Sequence, residues 1–238
     1  MDYTKEFEFV KKTFYPDMDK ITLGFSGEND VELIKPFSPM MLRSMAISQT
    51  VAETIRECPV EITKAKDMIK GWINEHEIVR VLGAGRALLA ASLGANRLAH
   101  AGASVSFMGG MVPMPNSMFG GGIIAASASG QTKHVIEAMK VAKENNPNIK
   151  ILGLAKNSHK AADFMDLCDC FIGLRSKALP IENPLFALAD EEEMAIAEIL
   201  DALVVLAGQE LGFTDEMWRQ GHEDIGPTGP YSVKDIPK

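Results

Sequence analysis

The chain of 238 residues is long enough to enclose one good core with an extension or two. Its 32 acidic and 24 basic residues give a formal charge of −8 and a pI near 5.2, which argues against a nucleic-acid partner, since that needs a basic face, yet leaves room for one small anion held by local donors. No apolar run approaches the roughly 20 residues of a membrane span, the opening Met1-Asp2-Tyr3-Thr4 lacks the apolar stretch of a signal peptide, and three cysteines without a disulfide framework fit a reducing cytoplasm.

Residues 1–39 read as an N-terminal extension, in which Asp17, Gly24, Gly27, Asn29, Pro36 and Pro39 interrupt short apolar runs such as Ile21-Thr22-Leu23. From Met40 the spacing predicts a helix, with Met41, Met45, Ser48, Ala52 and Ile55 recurring every three or four residues until Pro59 breaks it. Ile62, Ala65, Ile69 and Ile73 mark one face of a second helix. The β-branched run Ile78-Val79-Arg80-Val81-Leu82 predicts a strand, followed by Gly83-Ala84-Gly85 and an Ala/Leu-rich helix from Arg86 to Ala101 that stops at Gly102. Strands are expected at Ser104–Phe107, Gly122–Ala126, Ile149–Leu154 and Cys170–Ile172, with helices at Gln131–Asn145 and His159–Met165. A last long helix is expected over Phe186–Leu211, with Met194, Ala197, Leu200 and Val204 on one face. Residues 212–238, rich in glycine and proline, read as an irregular C-terminal tail.

Strands alternating with helices imply parallel βαβ units, hence an α/β domain over 40–211 with helices on both faces of a doubly wound sheet. Ligands of such sheets bind where strands end and helices begin, which singles out two turns.

The first turn is Gly83-Ala84-Gly85. A dinucleotide fingerprint would need a small residue at position 88 and an acidic residue ending the next strand; Leu88 and Ser106-Phe107-Met108 meet neither requirement, which argues against NAD. The turn is either tight for its own sake or lets a sugar approach the backbone at Gly83 and Gly85, with Arg86 close by. The second turn, Ser127-Ala128-Ser129-Gly130-Gln131-Thr132, is the more specific signal. Free N–H groups at a helix start, the helix dipole and three hydroxyls would converge on one anion, with Gly130 letting the backbone close around it. A plain cap by Ser129 would need one hydroxyl. No Lys or Arg follows in the P-loop pattern, so a nucleoside triphosphate is not indicated.

In this order the two turns resemble the sugar isomerase (SIS) domain family. Val81-Leu82-Gly83-Ala84-Gly85-Arg86 is similar to that family's first strand and loop, and Ser127-Ala128-Ser129-Gly130-Gln131-Thr132 to its Ser-x-Ser-Gly-x-Thr phosphate loop. The branch resembled most is 6-phospho-3-hexuloisomerase, whose Arg-Leu-x-His-x-Gly helix end is matched by Arg97-Leu98-Ala99-His100-Ala101-Gly102. The resemblance implies a five-stranded parallel sheet, a homodimer or homotetramer with sites at subunit contacts, and a sugar phosphate held by Ser127, Ser129 and Thr132. It implies a glutamate base at the start of the last helix, best matched by Glu193, with Glu191 or Glu192 as alternatives. Two departures stand out: Ala87 replaces a serine, and the insert Gly109–Gly121 is glycine-rich.

Isomerising a sugar phosphate moves a proton between carbons beside a carbonyl through an enediol, which takes a base and an oxyanion donor and no metal or redox cofactor. Crowding of Glu191, Glu192 and Glu193 would raise at least one pKa, as a base near neutrality requires; otherwise the three form a solvated acidic helix start favoured by the macrodipole. His100 becomes a proton shuttle only through the resemblance, since a lone helical histidine is usually structural. Arg86 either steers the phosphate or pairs with a neighbouring subunit's carboxylate. Cys58, Cys168 and Cys170 read as free buried thiols, and His222-Glu223-Asp224 as a solvated tail rather than metal ligands.

Overall fold

A computed structural model of the chain describes residues 38–108, 121–176 and 190–223. The extension before Ser38, most of the Gly109–Gly121 insert, the expected helix start at Phe186 and the chain after Glu223 lie outside the described residues.

In chain order the elements are α1 (Ser38–Glu57), α2 (Pro59–Asn74), β1 (Ile78–Gly83), α3 (Gly85–His100), β2 (Ser104–Met108), β3 (Gly122–Ser127), α4 (Lys133–Asn145), β4 (Lys150–Lys156), a 3₁₀ turn (His159–Ala161) running into α5 (Ala162–Met165), β5 (Cys170–Leu174), α6 (Asp190–Glu210) and α7 (Asp215–Glu223). The five strands form one sheet in the order β2-β1-β3-β4-β5, every neighbouring pair parallel. Successive side chains point to opposite faces, so β1, β3, β4 and β5 feed two cores, while the edge strand β2 adds, among the described residues, only Val105 to one. Val79, Val81, Ile124, Leu152 and Ile172 pack beneath α2, α3 and α6, while Leu82, Ile123, Ala125 and Ile151 pack beneath α4 and α5. The central β3 is buried along its whole length, which is why it reads as the unbroken run Gly-Ile-Ile-Ala-Ala-Ser.

Three expectations are corrected. The buried face of α1 is not Ser48, Ala52 and Ile55, which are exposed, but Ile47, Thr50, Val51 and Thr54. The threonines are buried because their hydroxyls have partners: Thr50 donates to the Glu191 carboxylate, and Thr54 donates to the Thr50 carbonyl while accepting from the Arg175 N–H. On α6, Met194 lies outside the buried face that holds Ala197, Leu200 and Val204. The segment after Gly212 is not wholly irregular: Thr214 accepts from the Met217 N–H at the start of α7, and Trp218 packs on Phe213 and beneath the Arg97 guanidinium.

The chain runs from β1 to β2 in one direction across the sheet and from β3 to β5 in the other. The switch point therefore lies between β1 and β3, where such sheets open a crevice at their carboxyl ends. Register sets Gly83 beside Ala126 and Ser127 beside Ala155, so both candidate turns leave the sheet side by side.

Candidate functional site

The first turn is built by glycine. A side chain at Gly83 would stand 2.9 Å from the Leu88 Cα, so β1 and α3 could not approach as they do. Gly85 has φ +54 in open space, a left-handed conformation that costs other residues about 1–2 kcal/mol. Ala84 thus caps α3 without a side-chain bond and leaves its first N–H groups facing outward. Arg86 in that first turn is half-exposed, and its Nε lies 3.0 Å from the Glu193 carboxylate.

In the second turn two of the three hydroxyls meet. Ser127 Oγ and Thr132 Oγ1 are 2.9 Å apart, and Ser127 Oγ also accepts from the Gly130 N–H at 3.0 Å. Ser129 Oγ accepts from the Gln131 N–H at 3.2 Å. Gly130 needs its φ of +69, and a side chain there would meet Ala161. The three hydroxyls are not equivalent. Ser127 is 1% exposed and its bonds hold the loop's shape, whereas Ser129 and Gln131 face solvent. Helix α4 starts at Lys133, two residues later than expected. Its cap is Thr132, whose hydroxyl turns to Ser127 rather than to the helix N–H groups. Those N–H groups and the positive end of the helix dipole remain directed at the loop's mouth.

The third contribution is the first turn of α6. Glu191, Glu192 and Glu193 are buried, at 9%, 6% and 9% exposure, so this is not a solvated helix start. Each meets a different element: Glu191 takes the Thr50 hydroxyl of α1, Glu192 takes Lys156 Nζ at the end of β4 (2.8 Å) and Ser176 Oγ after β5 (2.6 Å), and Glu193 forms an ion pair with Arg86 of α3 without a hydrogen bond between Oε2 and Nε. Burial pushes the Glu191 carboxyl above its ordinary range, with the nearby Glu192 charge adding to it against the Thr50 bond. Burial acts on Glu192 too, but the bonds from Lys156 and Ser176 outweigh it and hold that carboxyl below the ordinary range. The raised pKa expected of the crowded carboxylates thus falls on Glu191. Lys156, Ser176 and Thr50 were not singled out from sequence; a lysine ending a strand beside a candidate loop was the available signal for Lys156.

His100 is not brought to this place within one chain. It ends α3, roughly 21 Å from Arg86 at about 1.5 Å per residue, at the amino end of the sheet. Cys58 and Cys170 are buried free thiols, while Cys168, expected to be buried too, is half-buried; loss of solvent pushes Cys168 up to about 12 and Cys170 to about 11. Among the described residues no group of three or more His, Cys, Asp or Glu could hold a metal, and no helix is long and apolar enough to cross a membrane.

No family model and no curated protein matches the chain. Solved structures do. A hypothetical protein of Methanococcus jannaschii, from whose structure a 3-hexulose-6-phosphate isomerase function was inferred, aligns at 20% identity with TM-score 0.58 over 74% of this chain and 94% of that one. The Vibrio vulnificus NanR protein complexed with ManNAc-6P aligns at 17% identity with TM-score 0.60 over 77% of this chain and 67% of that one. The sugar isomerase domain of the RpiR transcription factor from Sphaerobacter thermophilus aligns at 13% identity with TM-score 0.56 over 81% of this chain and 98% of that one. The fold is that of sugar isomerase domains. At these identities the likeness speaks for the architecture, and the chemistry has to be argued from the side chains.

Proposed function

We propose that this chain is a sugar-phosphate isomerase that interconverts 3-hexulose 6-phosphate and fructose 6-phosphate through an enediol, without metal or redox cofactor. The observation that carries the reading is the meeting, at the switch point, of a hydroxyl-rich anion loop with the Arg86–Glu193 pair. The phosphate sits on the N–H groups at the start of α4 with Ser129, Gly130, Gln131 and Thr132, in a seat shaped by Ser127. The sugar lies over Gly83 and Gly85. Glu193 as carboxylate takes the proton from C2 of the 3-ketose, the electrons move to O3, and Arg86 stabilises the resulting enediolate. The hydroxyl proton passes from O2 to O3, and Glu193 returns its proton to C3. The neighbours inferred to be an isomerase or complexed with ManNAc-6P support a phosphorylated sugar as ligand.

The same reading takes the protein as a homodimer or homotetramer in the cytoplasm. Arg86, Leu89, Leu93, Asn96 and His100 follow one another along α3 at heptad spacing, and Leu89 and Leu93 are 67% and 62% exposed. Leu93 lies midway between Arg86 and His100. Antiparallel pairing of two α3 helices about a two-fold axis at Leu93 would set His100 of the partner subunit beside Arg86, where it could carry the proton between O2 and O3.

A second reading, a sensor that binds the sugar phosphate without turning it over, is favoured by the resting Arg86–Glu193 ion pair, which occupies the base. Glu193→Gln separates the two. An isomerase loses kcat by a factor on the order of 10³ or more and keeps its affinity for fructose 6-phosphate, whereas a sensor has no turnover to lose. Formation of fructose 6-phosphate together with solvent-deuterium incorporation at the carbon beside the carbonyl is the assay, and a wild-type protein that binds the sugar but neither converts it nor exchanges a proton refutes the isomerase.

A further inference from the structure

We infer that Lys156 is a positioning residue of this site, one that ties the anion loop to the acidic turn of α6 by fixing Glu192. The inference rests on the isomerase reading. Lys156 is the last residue of β4, and it is bonded in both directions. Its N–H donates to the Ala128 carbonyl inside the anion loop at 3.0 Å, and its ammonium donates to Glu192 at 2.8 Å. The same carboxylate oxygen takes the Ser176 hydroxyl at 2.6 Å. Lys156 is 39% exposed at its side chain and Glu192 8%, so the pair spans the edge between solvent and core.

The three carboxylates of this turn are consecutive, and only partners from three different elements fan them apart: Thr50 from α1, Lys156 from β4 and Arg86 from α3. The groups facing Glu192 are thus Lys156 at the end of β4, Ser176 after β5, its own N–H, and its neighbours Glu191 and Glu193 on α6. Without the ammonium, Glu192 is a buried carboxylate between two others, held by the Ser176 hydroxyl and its own N–H alone. It takes up a proton, turns, and carries the backbone of Glu193 with it. Lys156 therefore acts on the base through Glu192 and makes no contact with substrate.

The test is a double-mutant cycle of Lys156→Met and Glu192→Gln, with Lys156→Arg as the conservative variant. Lys156→Met is expected to lower kcat about 10- to 100-fold, to leave the affinity for inorganic phosphate within about twofold, and to move the acid limb of the kcat–pH profile upward. Arginine restores the limb, and in the Glu192→Gln background the methionine costs little more. Additive effects with loss of phosphate binding overturn the inference, because Lys156 would then be a ligand contact; so does an unmoved pH limb. Carboxyl-carbon NMR reads Glu192 independently of turnover. A titration that rises in Lys156→Met upholds the linkage even if wild-type protein proves to isomerise no sugar phosphate, the outcome that refutes the isomerase reading alone. An unchanged titration overturns it.

Discussion

Replacing Gly130 by alanine tests the anion loop without presuming any chemistry. At φ +69 an alanine pays about 1–2 kcal/mol for the left-handed conformation. Its Cβ would also stand 2.4 Å from the Ala161 Cβ and 3.2 Å from the Ala161 Cα, with the Ala155 Cβ at 3.5 Å. Crowding of that kind in a packed site adds about 1–3 kcal/mol. The total, about 2–5 kcal/mol, corresponds to a fall in Tm of roughly 4–20 °C for a domain of this size. Gly85→Ala is the internal control: its φ is +54 but nothing lies within 4 Å of the added carbon, so only the conformational part applies. Urea unfolding followed by circular dichroism gives both differences, and a phosphate titration by calorimetry reports whether the seat survives. Gly130→Ala should lose both stability and phosphate binding. A variant as stable as wild type that still binds phosphate, or one less damaged than Gly85→Ala, refutes the account of the loop.

Three further outcomes are expected. Gly94→Ala drives a methyl to 2.6 Å from the Leu200 Cγ and 2.8 Å from the Asp201 N, so α3 and α6 separate; a loss of about 1–3 kcal/mol in urea unfolding is expected, and a neutral effect would mean their packing is looser than described. The folded pKa of Glu191 is raised, so its contribution is complete below the unfolded value, about 4.3, and is lost as pH rises through the folded one. Glu191→Gln should therefore be more stable than wild type at pH 7, with the gap closing in acid. Glu192 is the reverse case, its pKa depressed: its contribution is present above the unfolded value and lost as pH falls through the folded one, so Glu192→Gln should be less stable at pH 7. Unfolding curves at neutral and acid pH decide both, and equal curves at pH 7 would show that neither carboxyl is perturbed. Finally, thiols held up at about 12 and about 11 carry almost no thiolate at neutral pH. Iodoacetamide should leave Cys168 and Cys170 of the native protein unmodified and reach them in urea, as mass spectrometry will record; rapid native labelling would show that the thiols are not held up.

The sheet and the two turns were legible because each announces itself locally. β-branched runs ending in glycine or serine, followed by Ala-rich helices, can hardly be packed otherwise than as parallel βαβ units. Glycines at 83, 85 and 130 mark backbone that other residues would strain or block. What was not legible depended on partners distant in sequence. Thr50 and Thr54 look like solvent positions until Glu191 and Arg175 arrive from 141 and 121 residues away. The start of α4 falls two residues later than the pattern suggests because the Thr132 hydroxyl serves Ser127, five residues back in the loop, rather than the helix. His100 followed from a local motif, and only the direction of α3 shows that its own crevice is out of reach. Helix α7 hid among glycines, since its support comes from Trp218 docking on Phe213 and Arg97.

The acidic turn of α6 and the loop before α4 sit on separate stretches of chain, the loop closed by its own hydrogen bonds, the turn held by Thr50, Lys156 and Arg86, and the two joined through Lys156. Grip and turnover can consequently drift independently in descendants of such a gene. A single exchange at Glu193 would silence conversion while the ligand is still held, and the molecule would be left as a gauge of the compound it once processed.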